Sequence, residues 1–435
     1  MRSRQTPDIQ FVENAHIRVG ITRKWGGAIT HVSVPGGPNI INSHDLGRQI
    51  QQSYYSGPPN YQKPGKEKSK AWETFPWNPI QTGDAYRNGS QVVDVRITGN
   101  SLYVKTIPML WPMNNDPGEC TMETWITLDA RLPAFTYKAR LTNHRGDKTQ
   151  YKGGAQEVPA VYVNGPFHHL MTYTGDKPFT GDALRELRND HKEGWPWVNS
   201  FPTEGWAALV NDDGFGIGVM VPSPLEFHGG FYGKRGVGGE TDASTGYMSP
   251  IASEVLDHNV VFDYCADFVV GTVSEIRAAA EKQRPRGLPA WDFSNRRNGW
   301  IYQSGTDAGF PLQGRGLGGT PEPGLETLRL LGPYAFWQAS AAKRVRLQTS
   351  AKDAGTVRVF WRGLPPAAAS SKPSLWAAWR GTWFDTERSV AQRFAAGNKR
   401  WVTVDLSSNA NYKGAICGLG MDIPAGVYVH QVRVG

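Results

Sequence analysis

The chain has 435 residues, among them 50 Gly, 30 Pro and 16 Trp, and only 20% of them are charged. This turn-rich, aromatic composition excludes a disordered protein, which needs high charge and few aromatics. It also excludes a coiled coil, which needs about half Ala, Glu, Lys, Leu and Arg. The net charge of +8 is uneven: from Arg286 onward there are 19 Lys or Arg against 9 Asp or Glu, while the first 285 residues carry 28 against 30.

Met1-Arg2-Ser3-Arg4 runs straight into a polar segment, the pattern left when a signal peptide has been removed. The expectation is a secreted or periplasmic protein. No apolar run approaches the ~18 residues that span a bilayer, so no membrane insertion is expected. Short alternating runs follow: His16 to Ile21, Val92 to Ile97, Ser101 to Thr106, Thr124 to Leu128 and Thr136 to Leu141. Each reads as a strand with one wet face. Gly99-Asn100 between two of them reads as a tight hairpin turn. Helical patterning is confined to Val273 to Lys282, with Ser274 as N-cap and Pro285 as stop, and a weaker stretch from Gly181 to Arg188. Gln283 to Ala290, with two prolines at the change of charge, reads as a linker. Domains are therefore expected at 1–283 and 284–435. Beyond the linker, Lys343 to Thr349, Thr356 to Trp361, Arg400 to Leu406 and Val427 to Val434 are again strands, as in a β-sandwich or jelly roll.

The strand His16 to Ile21 leads into Gly26-Gly27-Ala28-Ile29-Thr30 and then Gly36-Gly37-Pro38-Asn39-Ile40-Ile41-Asn42. This run resembles the opening of the galactose-mutarotase-like β-supersandwich superfamily. The resemblance implies an all-β fold that serves sugar mutarotases, several glycoside hydrolase families and several polysaccharide lyases. After residue 284, Trp291-Asp292-Phe293 to Gly299-Trp300, Trp401 to Ser408 and Gly414 to Leu419 resemble the strands of carbohydrate-binding β-sandwich modules.

Four clusters carry chemistry. Asn42 to Tyr55 gathers His44, Asp45, Arg48, Gln51, Gln52, Tyr54 and Tyr55. Amides and Arg bind sugar hydroxyls, aromatics stack on the sugar, and a carboxyl or imidazole moves the proton. Alternatively, His44 and Asp45 hold a turn and Arg48 pairs with Asp45. Trp72 to Asp84 offers Trp77 and Gln81, with Asp84 in reserve; Trp77 is a sugar platform or a core residue. Gln156-Glu157 opens an apolar strand, where a carboxylate is a paired structural charge or a general acid. His168 and His169 are adjacent and on a strand would point opposite ways, so at most one joins a given site. Finally, Glu193 to Trp197, Glu204, Trp206 and Glu226 to Gly233 supply acids and aromatics, with His228 and Tyr232 as binding residues.

The catalytic candidates are thus Asp45, Glu157, His44 and Glu204. Substrate-binding candidates are Arg48, Gln51, Gln52, Tyr54, Tyr55, Trp77, Gln81, Trp206, His228 and Tyr232. Trp300, Trp361, Trp376, Trp379 and Trp383 are the candidate glycan contacts of the C-terminal part. Cys120, Cys265 and Cys417 form no framework, leaving a Cys120–Cys265 bridge as the one pairing to test. No spacing argues for a metal, Asp212-Asp213-Gly214 reads as a hairpin turn, and no phosphate-binding, dinucleotide or GxSxG motif is found. No cofactor and no nucleic acid are expected. The partner is a polysaccharide or oligosaccharide, cleaved by a glycoside hydrolase with paired carboxylates. The alternatives are a polysaccharide lyase acting by β-elimination, a non-catalytic glycan-binding protein and a mutarotase.

Overall fold

A computed structural model describes residues 9–188, 197–223, 226–365 and 385–435. The alternating runs form strands, because one buried face and a complete ladder of backbone hydrogen bonds are satisfied together. In chain order these begin β1 (Ile9–Glu13), β2 (Arg18–Thr22), β3 (Ala28–Ser33), β4 (Ile50–Ser53), β5 (Pro79–Ile80), β6 (Gln91–Thr98) and β7 (Ser101–Ile107). They continue as β8 (Met109–Leu110), β9 (Cys120–Leu128), β10 (Ala134–Asn143), β11 (Gly154–Asn164), β12 (His169–Thr172) and β13 (Arg185–Glu186). Then come β14 (Trp197–Ser200), β15 (Trp206–Val210), β16 (Phe215–Met220), β17 (Phe227–Tyr232), β18 (Thr245–Glu254) and β19 (Val261–Thr272).

Two large antiparallel sheets result. One runs β1-β2-β3-β4-β11-β18-β17-β14, with β5 and β8 attached beside β4; the other runs β13-β12-β15-β16-β19-β10-β9-β7-β6. They pack face to face through Val19, Ile29, Val161, Val163, Phe227 and Met248 of the first and Val104, Ile126, Phe135, Leu209 and Phe268 of the second. The result is an all-β supersandwich. Gly99 turns β6 into β7 at φ +54°, as a two-residue hairpin with Gly first requires.

The single α-helix among the described residues, α1 (Val273–Gln283), is capped two residues earlier than its sequence suggests. Thr272 accepts from the backbone of Glu275, whose carboxylate returns to the Thr272 backbone N–H. This capping box satisfies two helix-end donors at once, which Ser274 inside the helix cannot do. Gly181 to Arg188 forms no helix; Arg185 and Glu186 instead form the edge strand β13, paired with β12. No described helix is long and apolar enough to cross a membrane.

Among the described residues, the sheets beyond the helix are built from strands between 290 and 434. A four-stranded sheet runs through Ala290–Asp292, Tyr428–Val434, Arg344–Ala351 and Gly397–Asp405. The larger sheet facing it includes Thr327–Leu331, Ala415–Pro424, Gly355–Gly363 and Ser389–Phe394. Their shared core holds Trp300 and Trp361 at 0% and 1% exposure. Trp300 meets Trp291 and Phe293 edge-on, and Trp361 meets Tyr412 likewise. These two indoles are therefore packing residues and not surface glycan contacts; Trp376, Trp379 and Trp383 lie outside the described residues.

All three cysteines are free. Cys120 on β9 opposes Asn143 and Cys265 on β19 opposes Lys138, on opposite sides of β10. Two strand spacings already separate them by about 9.5 Å, beyond the ~7 Å Cα separation a disulfide can bridge.

Candidate functional site

The first sheet turns one face to the core and carries polar and aromatic side chains on the other. Strand pairing decides which residues share that outer face, since directly opposed residues point the same way. Tyr162 opposes Tyr247, Tyr247 opposes Gly230, and Gly230 opposes Trp197. One step along, Ser249 opposes His228 and His228 opposes Asn199. Glu157 opposes Ile251, whose backbone N–H bonds the carbonyl of Glu226.

A bulge brings Glu157 into this set. Between Glu157 and Val161 the register of β11 slips by one residue against β18, and it slips likewise against β4. Pro159 sits inside the slip. Proline has no N–H for the ladder, so an interior strand accommodates it at a bulge. In an unbroken strand Glu157 and Tyr162, five apart, would face opposite ways; the extra residue gives them the same face.

Two phenols fix the Glu157 carboxylate. Tyr55 Oη donates to Oε2 at 2.9 Å and Tyr247 Oη donates to Oε1. Gln156, buried on the other side of the strand, clamps the Tyr55 backbone: its Oε1 accepts from the Tyr55 N–H at 2.8 Å and its Nε2 donates to the Tyr55 carbonyl at 2.9 Å. Burial, with the neighbouring Glu157 charge second, pushes Tyr55, Tyr162 and Tyr247 well above the ordinary phenol range. These hydroxyls are therefore donors and not bases. Beside them Tyr247 stacks obliquely between Tyr162 and Trp197, 4.7 Å from each ring.

At the other end of the face, Asn199 Nδ2 donates to Glu226 Oε1 at 3.1 Å, and His228 Nε2 lies 3.7 Å from the same oxygen. Glu226 and His228 are 0% and 5% exposed. Glu226 Oε2, His228 Nε2 and Asn199 Oδ1 are buried without a hydrogen-bond partner. Such atoms cost about 1–3 kcal/mol each when left unmade, so three of them on residues in mutual contact mark a place suited to a polar ligand. Phe201 continues the floor and packs against Tyr334 at 4.6 Å, with the Arg362 guanidinium over it at 5.1 Å. The second sandwich thus forms one end of the site. Burial lowers the pKa of Arg362.

The sequence-derived candidates divide sharply. Glu157, Tyr55 and His228 share the outer face. Asp45 and Arg48 rim it near Tyr162, where both charges act on that phenol. Asp45 Oδ1 accepts from the Gly47 N–H at 2.8 Å and Oδ2 lies 3.4 Å from Arg48 Nε. Arg48 also donates to Asn42 Oδ1 and the Ala243 carbonyl, and His44 Nδ1 lies 2.8 Å from the Thr241 carbonyl. These contacts hold the loop together. Gln51, Gln52 and Gln81 are buried and bonded to backbone, Thr82, Thr124 and Tyr54. Tyr54 and Trp77 belong to a small core under β8 and β9. Tyr232 is 52% exposed at the end of β17.

Glu204 is elsewhere. Its oxygens accept from Arg277 Nη2 and Nε, the Trp206 indole and the Phe179 N–H, tying α1 to β15, and Trp206 packs beneath the helix. Glu193 and Trp195 lie outside the described residues. Tyr247, Asn199 and Tyr162 were not singled out as site residues, because cross-strand register alone assigns them to this face. The two histidines depart from expectation too: His168 precedes β12 instead of lying in it, so both imidazoles fall on one side with ring centres 4.1 Å apart.

No protein-family model matches the sequence, and no curated protein matches it. Among solved structures, the chain is similar to a galactose mutarotase related enzyme from Lactobacillus acidophilus, with 12% identity, 60% of this chain and 97% of that chain covered, and a TM-score of 0.38. A galactose mutarotase-like protein from Lactobacillus casei covers 60% of this chain and 99% of its own at 11% identity and TM-score 0.36. An alpha-galactosidase from Lactobacillus brevis matches over 65% of this chain and 42% of its own, at 9% identity and TM-score 0.38. At this distance the chemistry has to be read from the chain's own residues.

Proposed function

We propose that the protein is a carbohydrate-processing enzyme whose sugar lies on the outer face of the first sheet, and that it cleaves a glycosidic bond with Glu157 and Glu226. The observation that carries this reading is the aromatic row of Tyr162, Tyr247 and Trp197 on the same face as Glu157 and the unpartnered atoms of Glu226, His228 and Asn199. A sugar needs an apolar ring face and a few converging polar groups. Glu157, an acceptor from two phenols, suits the base or nucleophile role; Glu226, with Oε2 unpartnered, suits proton donation to the leaving oxygen. Both stand level with Ile251, two strand spacings apart, about 9.5 Å between backbones. Catalytic carboxyls stand roughly 5–5.5 Å apart in retaining and 6.5–9.5 Å apart in inverting glycosidases, separations that two side chains on one face reach from this backbone spacing. A β-elimination site would need a phenolic or imidazole base and a cation for the uronate. The phenols here donate and Arg48 is committed to Asn42, Asp45 and backbone carbonyls, so that reading would rest on His228, whose Nε2 is unpartnered, as its base.

The test is a screen of plant, algal and bacterial polysaccharides, read by new reducing ends and by the ultraviolet absorbance of unsaturated uronates. Reducing ends without that absorbance are expected, and Glu157→Gln and Glu226→Gln should each lower kcat about 10²–10⁴-fold with unchanged circular dichroism. Unsaturated uronate products, or variants with wild-type rates, would overturn the assignment.

For the positive C-terminal part we propose contact with an acidic glycan through Trp401. This exposed indole lies 4.7 Å from Arg346 and 5.1 Å from Arg433, which oppose each other across two strands. Like charges directly opposite destabilise a sheet, and a polyanion laid on the indole would relieve them. Trp401→Ala should abolish the retardation of the protein in native gels containing polygalacturonate, with no change in gels containing a neutral glucan. Equal retardation of wild type and variant would refute the contact.

A further inference from the structure

Outside the sugar face, His168, His169 and Asp212 bring three ligand atoms within 4.8 Å of one another. His168 ends the loop after β11, His169 begins β12, and Asp212 lies on the turn joining β15 to β16. Pairing of His169 with Val210 hangs that turn beside the two imidazoles. His168 Nε2 and His169 Nε2 lie 3.3 and 3.0 Å from the same Asp212 Oδ1.

The other ring nitrogens say which atoms hold protons. His168 Nδ1 lies 3.0 Å from the Pro166 carbonyl, and His169 Nδ1 lies 3.0 Å from Glu186 Oε1. A carbonyl only accepts, and so does an ionised carboxylate, so each Nδ1 carries the hydrogen. In the neutral rings both Nε2 atoms then present lone pairs, and both are turned on an anionic oxygen. Three electron-rich atoms converging in this way are arranged as ligand atoms are around a cation.

From this geometry we propose that His168 Nε2, His169 Nε2 and an Asp212 carboxylate oxygen bind a divalent transition-metal ion of the zinc type. Two imidazoles and one carboxylate suit zinc and its neighbours better than magnesium or calcium, which take oxygen ligands. Bonds of about 2.0–2.1 Å at tetrahedral angles put ligand atoms about 3.3 Å apart, close to the 3.3 and 3.0 Å from the two imidazoles to Asp212. The two Nδ1 partners supply the outer hydrogen bonds that orient metal-ligating histidines. Asp212 is 81% exposed on its side chain, so the ion would enter from solvent and keep a position for water. Its effect would be to fasten the turn of one hairpin to the start of β12.

Full-length protein is treated with chelator, dialysed, and titrated calorimetrically with zinc chloride alone at neutral pH. One site per chain is expected, with a rise in Tm on saturation. Asp212→Asn, a change at an exposed turn, and His169→Ala should both remove that site and its Tm rise. Glu186→Gln should weaken it about 10–100-fold, while Glu226→Gln on the sugar face should leave it intact. Absence of binding by the wild-type protein overturns the proposal. So does binding that survives Asp212→Asn and His169→Ala.

Discussion

Glu204 is wholly out of solvent on its side chain, so its charge depends on the Arg277 guanidinium, which reaches it from α1 at 2.7 Å. Removing one member of a buried pair leaves the other uncompensated, at a cost of about 3–5 kcal/mol. Arg277→Ala should lower the urea midpoint by that order of free energy. If the outer face is the catalytic site proposed above, rates of the folded variant on polysaccharide should match wild type, because neither residue is on that face. In the sequence Glu204 and Glu157 look alike, since each is a carboxylate beside an apolar strand. They differ only in what meets them across the fold, Arg277 in one case and two phenols in the other. Glu157, Tyr55 and His228 were legible as residue types suited to a sugar. Tyr247 and Asn199 were not, because only strand pairing gives them a role. The same holds for Gln51, Gln52 and Gln81, whose amides looked free for hydroxyls and instead bond inside the sandwich.

Elements were easier to read than sites. Alternation of apolar and polar residues gives a strand wherever one face is buried, and β7, β9 and β10 follow their patterns closely, whereas β6 forms a strand whose apolar Val93 and Ile97 are exposed and whose pairing shifts register between Val92 and Asp94. The bulge in β11 breaks that rule. Pro159 within an apolar strand is its only sign, and a strict period of two would send Glu157 and Tyr162 to opposite faces. At α1 the sequence reading placed the cap at Ser274, and the structure assigns the role to Thr272. The side-chain oxygen of a cap closes one orphan N–H of the first turn, for which alanine has no replacement. Thr272→Ala should therefore destabilise the protein by about 1 kcal/mol. Ser274→Ala, exposed inside the helix, should stay within about 0.5 kcal/mol of wild type. Chemical denaturation of the two variants side by side separates the assignments, and a larger loss from Ser274→Ala would reverse them.

At the scale of the whole molecule, the contact between the supersandwich and the strands beyond α1 is built on buried charge. Arg297 donates to Asp257 and Asp307 at 2.7 Å, and Gln150 Nε2 donates to the same two carboxylates. Val255, Ile301 and Leu331 pack alongside. Nothing in the linker's composition announced this contact, since its partners lie far apart in the chain. Glu254 sits within it, facing Arg297, Asp257 and Arg296, and its Oε1 accepts from the Val255 N–H. Burial raises its pKa from 4.5 to about 7, with Arg297 opposing the shift. Between those values the folded chain keeps a proton that the unfolded chain has released. The unfolded state then binds fewer protons, and stability falls as pH rises. This contribution is fully favourable below about pH 4.5, is lost as pH climbs towards about 7, and is level above that. Asp307 and Asp263 act in the opposite sense, since their pKa values are lowered chiefly by arginine contacts that outweigh burial. Their stabilisation is lost only in more acidic solution, below the ordinary 3.8. Glu254→Gln keeps the oxygen that accepts from Val255 and removes the titration. Urea midpoints from pH 5 to 8 should then show the wild type losing ground to Glu254→Gln up to about pH 7 and running parallel to it beyond. A constant gap across that range would mean that Glu254 titrates no differently in the folded and unfolded chains.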